Sequence, residues 1–304
     1  MANPDYGREE KGMYKKTFGG SIFSIFNYTF LTLAAVITLF PLINVLAVSF
    51  SSTRAILSGE VSLFPVDFNV QAYKNLIQDG QLFNALKNNV VITVIGTALN
   101  MIATIAAAYP LSKKRLKGQQ VIMGLIVFTM LFGGGLIPSF ILVKSLGLIN
   151  TYGALWLPSL VSVYNLIILR TFFASIPASL EEAATIDGAN DIYILLRIVI
   201  PLSLPIIFTL VLFYAVSWWN SYFNVLIYIT SPAKQSLMVK LMQMLNNVSD
   251  SLTNSGEGAA QQAAITPEAV KAAAIIISTT PILCVYPFLQ KHFVKGVMIG
   301  AIKG

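Results

Sequence analysis

Six stretches of this sequence contain no Asp, Glu, Lys or Arg: residues 17–53, 88–112, 118–143, 145–169, 198–233 and 272–290. A helix needs about 20 apolar residues to cross the hydrocarbon core of a bilayer, so charge-free windows of this length constrain the fold more than any other feature. Their apolar character is continuous instead of alternating, which points to helices, and lipid tolerates no unpaired backbone outside helices and closed barrels. Spans are expected near 25–49, 88–110, 121–143, 153–173, 202–229 and 270–290. The fold expected is all-α and integral to the membrane, with about six transmembrane helices. A transmembrane domain over 25–290 would lie between an N-terminal segment 1–24 and a C-terminal tail 291–304. Composition agrees, being 56% hydrophobic and only 11% charged, with a mean hydropathy of +0.73.

The basic residues set the expected orientation. If connections alternate between two sides, one side collects thirteen Lys and Arg, including Lys113, Lys114, Arg115 and Lys117 in one short loop; the other collects seven. Short basic loops stay cytoplasmic, so both termini are expected in the cytoplasm. The N-terminal apolar stretch exceeds a signal-peptide core and shows no small-x-small cleavage site, so it reads as a retained first span. The segments Ser51–Leu86 and Ser231–Ala269 would face outside. Within the second, Asn246–Ala264 is rich in Asn, Ser and Gly and reads as a mobile loop, either a tolerated insertion or a docking surface.

Several function classes are disfavoured. All thirteen acidic residues fall outside the expected spans, whereas ion-coupled carriers usually need a carboxylate on the pathway. No catalytic residues are assigned. The single histidine, His292, and the single cysteine, Cys284, have no clustered partners for a metal site or a disulfide. No G-x-x-x-x-G-K-[ST] phosphate loop is present, so no cofactor is expected on this chain and any ATP must be bound elsewhere. The net charge of +7 is spread through connecting segments and gives no nucleic-acid face.

The segment 177–201 between the fourth and fifth expected spans carries the most local information. Pro177 blocks upstream helix. Ser179 and Glu182 have capping-box spacing, and Gly188 suits a left-handed stop, so a helix is expected over about 180–187. Its face Leu180, Ala183, Ala184 and Asp187 combines an apolar anchor with small side chains. Asp191 is expected to cap a second helix, Ile192–Ile200, which Pro201 separates from the next span. Such a hairpin either packs on its own bundle or seats in a partner.

Glu182-Ala183-Ala184, then three residues, Gly188, then nine residues and Ile198-Val199-Ile200-Pro201 resembles the EAA loop of ABC importer permeases, E-A-A-x3-G-x9-I-x-L-P, with Ile200 where Leu is usual. Leu146–Tyr152, Trp219-Asn220 and the ending Phe293–Gly304 resemble the maltose-type carbohydrate permeases, nearest the polysaccharide and oligosaccharide branch. The resemblance implies an ABC type I importer permease fold. It also implies a place in a bacterial cytoplasmic membrane and a coupling helix seated in an ATPase subunit, with Glu182, Ala183, Ala184, Asp187, Gly188 and Pro201 as the ATPase-coupling positions. The partners it implies are a second homologous permease, two ATPase subunits that bind ATP and Mg, an extracytoplasmic solute-binding protein and membrane lipid. The tail Lys295–Gly304 would insert between the ATPase subunits or fray. An ABC permease for peptides or amino acids, or an ion-coupled carrier, is the alternative.

For the pathway, Tyr214, Trp218 and Tyr222 fall at i, i+4 and i+8, an aromatic face suited to sugar rings or to a membrane-interface belt. Asn44, Asn100, Asn165 and Asn220 place amides in or at the edge of spans, where they bond neighbouring helices or line a sugar route. Gly133-Gly134-Gly135 and Pro138 mark an expected break in the third span.

Overall fold

The computed structural model describes residues 18–78, 80–255 and 266–301. Among these the regular structure is helical throughout. The helices are α1 (Phe18–Ser49), α2 (Thr53–Leu57), α3 (Gln71–Gln78), α4 (Gln81–Ser112), α5 (Gln119–Leu131), α6 (Leu136–Ser145), α7 (Gly153–Trp156) and α8 (Val163–Ser175). They continue with α9 (Ala178–Ile186), α10 (Asp191–Leu202, with a π-helical turn at Leu195–Val199), α11 (Leu204–Trp219), α12 (Phe223–Tyr228), α13 (Leu237–Ser255) and α14 (Pro267–Ala301). Three described helices, α1, α4 and α14, are long and apolar enough to cross a membrane alone, and three bent pairs raise that to as many as six.

The central helix is α4, which packs against α8, α11 and α13, while α14 bridges α11 and α1. Its Ile92, Ala108 and Thr104 are fully buried. By contrast α1 presents Phe23 and Phe26 at 67% and 68% exposure. An apolar surface of this extent is costly in water and ordinary against lipid. The bundle has two ends. One gathers the 113–118 loop and the hairpin of α9 and α10, joined by ion pairs. The other gathers Asn88, Asn150 and Ser231–Gln235: Asn88 Nδ2 donates to the Ala233 carbonyl (2.7 Å), and Lys234 Nζ to the Asn150 carbonyl (3.0 Å).

The helices depart from the expected spans at two places. The stretch 153–173 is not one helix: α7 ends at Trp156, and α8 starts only after Ser162, whose hydroxyl accepts from the Asn165 amide. Pro158 lacks an N–H and would clash with the preceding turn, which accounts for the gap. The stretch 202–229 also divides. It begins with an 83° bend at Ser203, flanked by Pro201 and Pro205, and ends at Trp219, where Asn220 Nδ2 bonds back to the Val216 carbonyl. In the third span the glycine run does break the helix: residues 132–135 separate α5 from α6, whose axes differ by 110°, and Gly135 sits at φ +83°.

The expected mobile loop at 246–264 is also corrected, because Asn246–Ser255 continues α13. Leu237 and Leu241 are buried with Met244 and Leu245 beside them, an i, i+4, i+8 spacing that anchors one face of this helix and carries it into the polar segment. Residues 256–265, the N-terminal segment 1–17 and Ile302–Gly304, with the tail insertion expected there, lie outside the described residues.

Candidate coupling site

The site is a helical hairpin held at one end of the bundle. α8 stops at Ser175 because Ile176 and Pro177 turn extended, with ψ of 131° and 126°. The capping box expected from Ser179 and Glu182 does not form. Pro177 occupies the N-cap, the helix starts at Ala178, and Ser179 is thereby drawn into the first turn, where its hydroxyl cannot serve as cap. Glu181 lies in that turn and offsets the exposed N–H groups electrostatically.

The C-terminus follows the sequence closely. Gly188 takes φ +84°, its amide donates to the Thr185 carbonyl (3.0 Å), and the Ala189 amide donates to the Ala184 carbonyl (2.9 Å). This is the Schellman arrangement, with Ala184 and Ala189 as its apolar pair, and both pack against the core around Tyr109, Phe173 and Ile194. A Cβ placed on Gly188 would meet nothing within 4 Å. Space is therefore open there, and within the chain only the backbone conformation requires glycine.

α10 is capped by Asn190, whose side chain accepts from the Tyr193 amide (2.8 Å), instead of by Asp191. Asp191 is drawn away by Arg115, which donates to it from Nη2 at 2.5 Å; that bond raises the Arg115 pKa above its ordinary value. On the other arm Glu181 pairs with Lys113 Nζ. Between the 113–115 loop and α9 lies a recess of about 740 Å³ lined by Lys113, Glu181, Glu182, Thr185, Ile186 and Ile194.

Of the expected contact positions, Glu182, Ala183, Asp187 and Gly188 are exposed together on the hairpin. Ala184 turns inward. Pro201 is exposed but lies at the far end of α10 beside the Ser203 bend, about 15 Å from Asp191 at 1.5 Å per residue. Sequence reasoning had no reason to single out Ile186, the most exposed apolar side chain of the hairpin at 86%, because its residue type alone suggests burial.

The expected pathway residues divide into two groups. Asn100, Tyr214 and Trp218 come together on the seam between α4 and α11. Trp218 Nε1 donates to Asn100 Oδ1 (3.1 Å), Asn100 Nδ2 donates to the Ser159 carbonyl (2.7 Å), and the Tyr214 hydroxyl shares a hydrogen bond with Thr104 Oγ1 (2.8 Å) and accepts from the Ser162 amide (3.1 Å). Asn165 is buried in the first turn of α8. Asn44 instead holds the end of α1 through the Ser62 carbonyl (2.8 Å), and Asn220 caps α11. Tyr222 leaves the expected face because α11 ends before it. Thr104 and Gly96 were missed. The signal for Thr104 was its i+4 relation to Asn100, matched across antiparallel helices by Tyr214 and Trp218. Along the same helix Asn89 Oδ1, Thr93 Oγ1 and Thr97 Oγ1 are buried without a protein partner.

With this geometry in view, the comparisons are specific. Residues 99–299 match the family described as binding-protein-dependent transport system inner membrane component. A polygalacturonan/rhamnogalacturonan transport system permease protein of Bacillus subtilis is 43% identical over 286 residues, covering 93% of this chain and 99% of the relative. A trehalose/maltose transport system permease of Thermococcus litoralis is 30% identical, covering 90% and 94%. Among solved structures, a chain of a bacterial ABC transporter involved in the import of the acidic polysaccharide alginate superposes with a TM-score of 0.81 at 35% identity, covering 91% of this chain and 98% of that one.

Proposed function

The chain belongs to the binding-protein-dependent transport system inner membrane component family, and from that premise we propose that it is the permease subunit of an ATP-driven importer for acidic oligosaccharides. The observation that carries the reading is the exposed hairpin, in which Glu182, Ala183, Asp187 and Gly188 are presented together while Ala184 is anchored inward. A nine-residue helix left exposed on one side is a marginal structure unless a partner covers it. The partner is an ATPase subunit, and two such subunits close on ATP and Mg. A second, homologous permease completes the membrane domain, and an extracytoplasmic binding protein delivers the solute. This chain does no covalent chemistry.

About six spans with both termini in the cytoplasm accommodate the two ends of the bundle. The basic 113–118 loop and the α9–α10 hairpin share one end, which supports a cytoplasmic place for both. The solute class follows the relatives, two of whose names concern polymers rich in uronic acids. The α4–α11 seam, with Asn100, Tyr214 and Trp218, borders the route, and Asn165 lies beside it, whereas Asn44 and Asn220 serve helix ends. The third-span break at Gly133–Gly135 supplies a bend at which one wall of the route moves.

Reconstitution of the complex in proteoliposomes tests the reading. Uptake of an oligogalacturonide should require ATP inside the ATPase-bearing face and should exceed uptake of a neutral glucan of equal length. Equal preference would remove the acidic-sugar assignment. Uptake driven by an ion gradient without the ATPase would remove the importer assignment.

A further inference from the structure

Four cations crowd the 113–118 loop, and their orienting role does not explain where two of them point. Lys113 reaches Glu181 in the first turn of α9, and Arg115 reaches Asp191 at the start of α10. The two pairs differ in environment. The Arg115–Asp191 side chains are 69% and 60% exposed, so water and salt screen them. The Lys113–Glu181 side chains are 14% and 21% exposed. The Lys113 ammonium also lies 4.2 Å from the centre of the Tyr109 ring, which adds a cation–π attraction where hydration is reduced. Tyr109 is 8% exposed and meets Phe173 edge to face at 6.4 Å. None of the residues of α9 is fully buried, so apolar packing through Ala184 holds it only in part.

We propose that Glu181, Lys113 and Tyr109 form a lock that fastens the α9 helix to the end of α4, making Lys113 and Glu181 positioning residues for energy coupling. The proposal rests on the function assigned above. Without the lock, movement of α9 reaches the bundle only through the packing of Ala184 and through its own flanking segments, Ile176–Pro177 and Gly188–Asn190, neither of which is helical. With it, displacement of α9 passes directly into α4, the helix that carries Asn100 and Thr104 against Trp218 and Tyr214. A cation held between a carboxylate and a ring face resists displacement in two directions, whereas an exposed pair resists little.

The test uses Lys113→Glu, Glu181→Lys, the double exchange, Lys113→Met and Arg115→Ala, each in the full transporter. Lys114, Arg115 and Lys117 remain in the Lys113 variants, so the loop keeps its orienting charge. Two readouts are taken: amide exchange across residues 178–186, and solute molecules moved per ATP hydrolysed. Each charge reversal should speed exchange about tenfold and lower transport per ATP about five- to tenfold while ATP hydrolysis continues. The double exchange should recover at least half of both losses, Lys113→Met should fall with the reversals, and Arg115→Ala should match wild type. A double exchange no better than the worse single variant, or Lys113→Met indistinguishable from wild type, overturns the lock. Exchange that follows this pattern across the variants, when even the wild-type complex moves nothing on ATP, supports the lock and sinks the importer reading instead, so the two failures are separable.

Discussion

Gly188 is the position where fold and function can be separated by measurement. Its φ of +84° is one that L residues adopt at a cost of about 1–2 kcal/mol, and asparagine adopts it more cheaply because its amide bonds locally. A Cβ there meets nothing within 4 Å, so sterics inside the chain add nothing. Gly188→Ala should therefore loosen the end of α9 by about tenfold in local opening, taking 1.4 kcal/mol as one decade, and Gly188→Asn by less. If glycine is needed only to stop the helix, uptake should track that loosening and asparagine should rescue it. If a partner packs against the open space at Gly188, any side chain is an obstruction. Both variants should then lose at least about tenfold in transport per ATP, asparagine included, while amide exchange in Glu181–Ala184 changes little. The assay pairs exchange on the purified complex with ATP-driven uptake. Wild-type uptake in Gly188→Asn would refute the contact and leave the residue as a helix stop.

Further outcomes follow from the α4–α11 seam. A Cβ on Gly96 would lie 2.7 Å from Cε2 and Nε1 of the Trp218 indole, a rigid and buried neighbour. Gly96→Ala should cost about 1–3 kcal/mol through overpacking despite the better helix propensity of alanine, seen as a lowered unfolding midpoint in detergent; unchanged stability would mean that the helices do not approach this closely. In a double-mutant cycle, Asn100→Ala and Trp218→Phe should couple by about 0.5–2 kcal/mol, since they share one buried hydrogen bond, and strict additivity would deny it. Replacing Gly133 and Gly134 together by alanine should stiffen the segment between α5 and α6 and slow uptake while leaving the resting ATPase rate unchanged; wild-type uptake would exclude the bend from the transport cycle.

The parts of the fold legible in the sequence are those set by local chemistry. Absence of charge marked the apolar helices, the glycine run marked the α5–α6 break, and Gly188 marked the end of α9. What escaped were decisions between adjacent candidates for one role. Pro177 and Ser179 both suit a helix start, and Pro177 prevails because its extended ψ starts the helix two residues too early for a serine cap. Asn190 and Asp191 both suit the next start, and Arg115 settles the matter from 76 residues away. The bend at Ser203 lies between two prolines, either of which could begin a helix; the buried Ser203 amide donates to both Val199 and Ile200 carbonyls and closes α10 there. Within the candidate site the exposed positions were readable from spacing and resemblance. The inward turn of Ala184 and the Lys113–Glu181 pair were not, because both depend on tertiary contacts that no local pattern encodes.

Contact between the hairpin and an ATPase subunit is the central claim, and site-specific cross-linking tests it most directly. In a background where the exposed Cys284 is replaced by serine, Ala183→Cys should form an adduct with the ATPase subunit through a short thiol cross-linker, with a yield that changes when ATP is added. Leu33→Cys, on the outward face of α1, should form none. An active, ATP-hydrolysing complex in which Ala183→Cys yields no ATPase adduct would contradict the account.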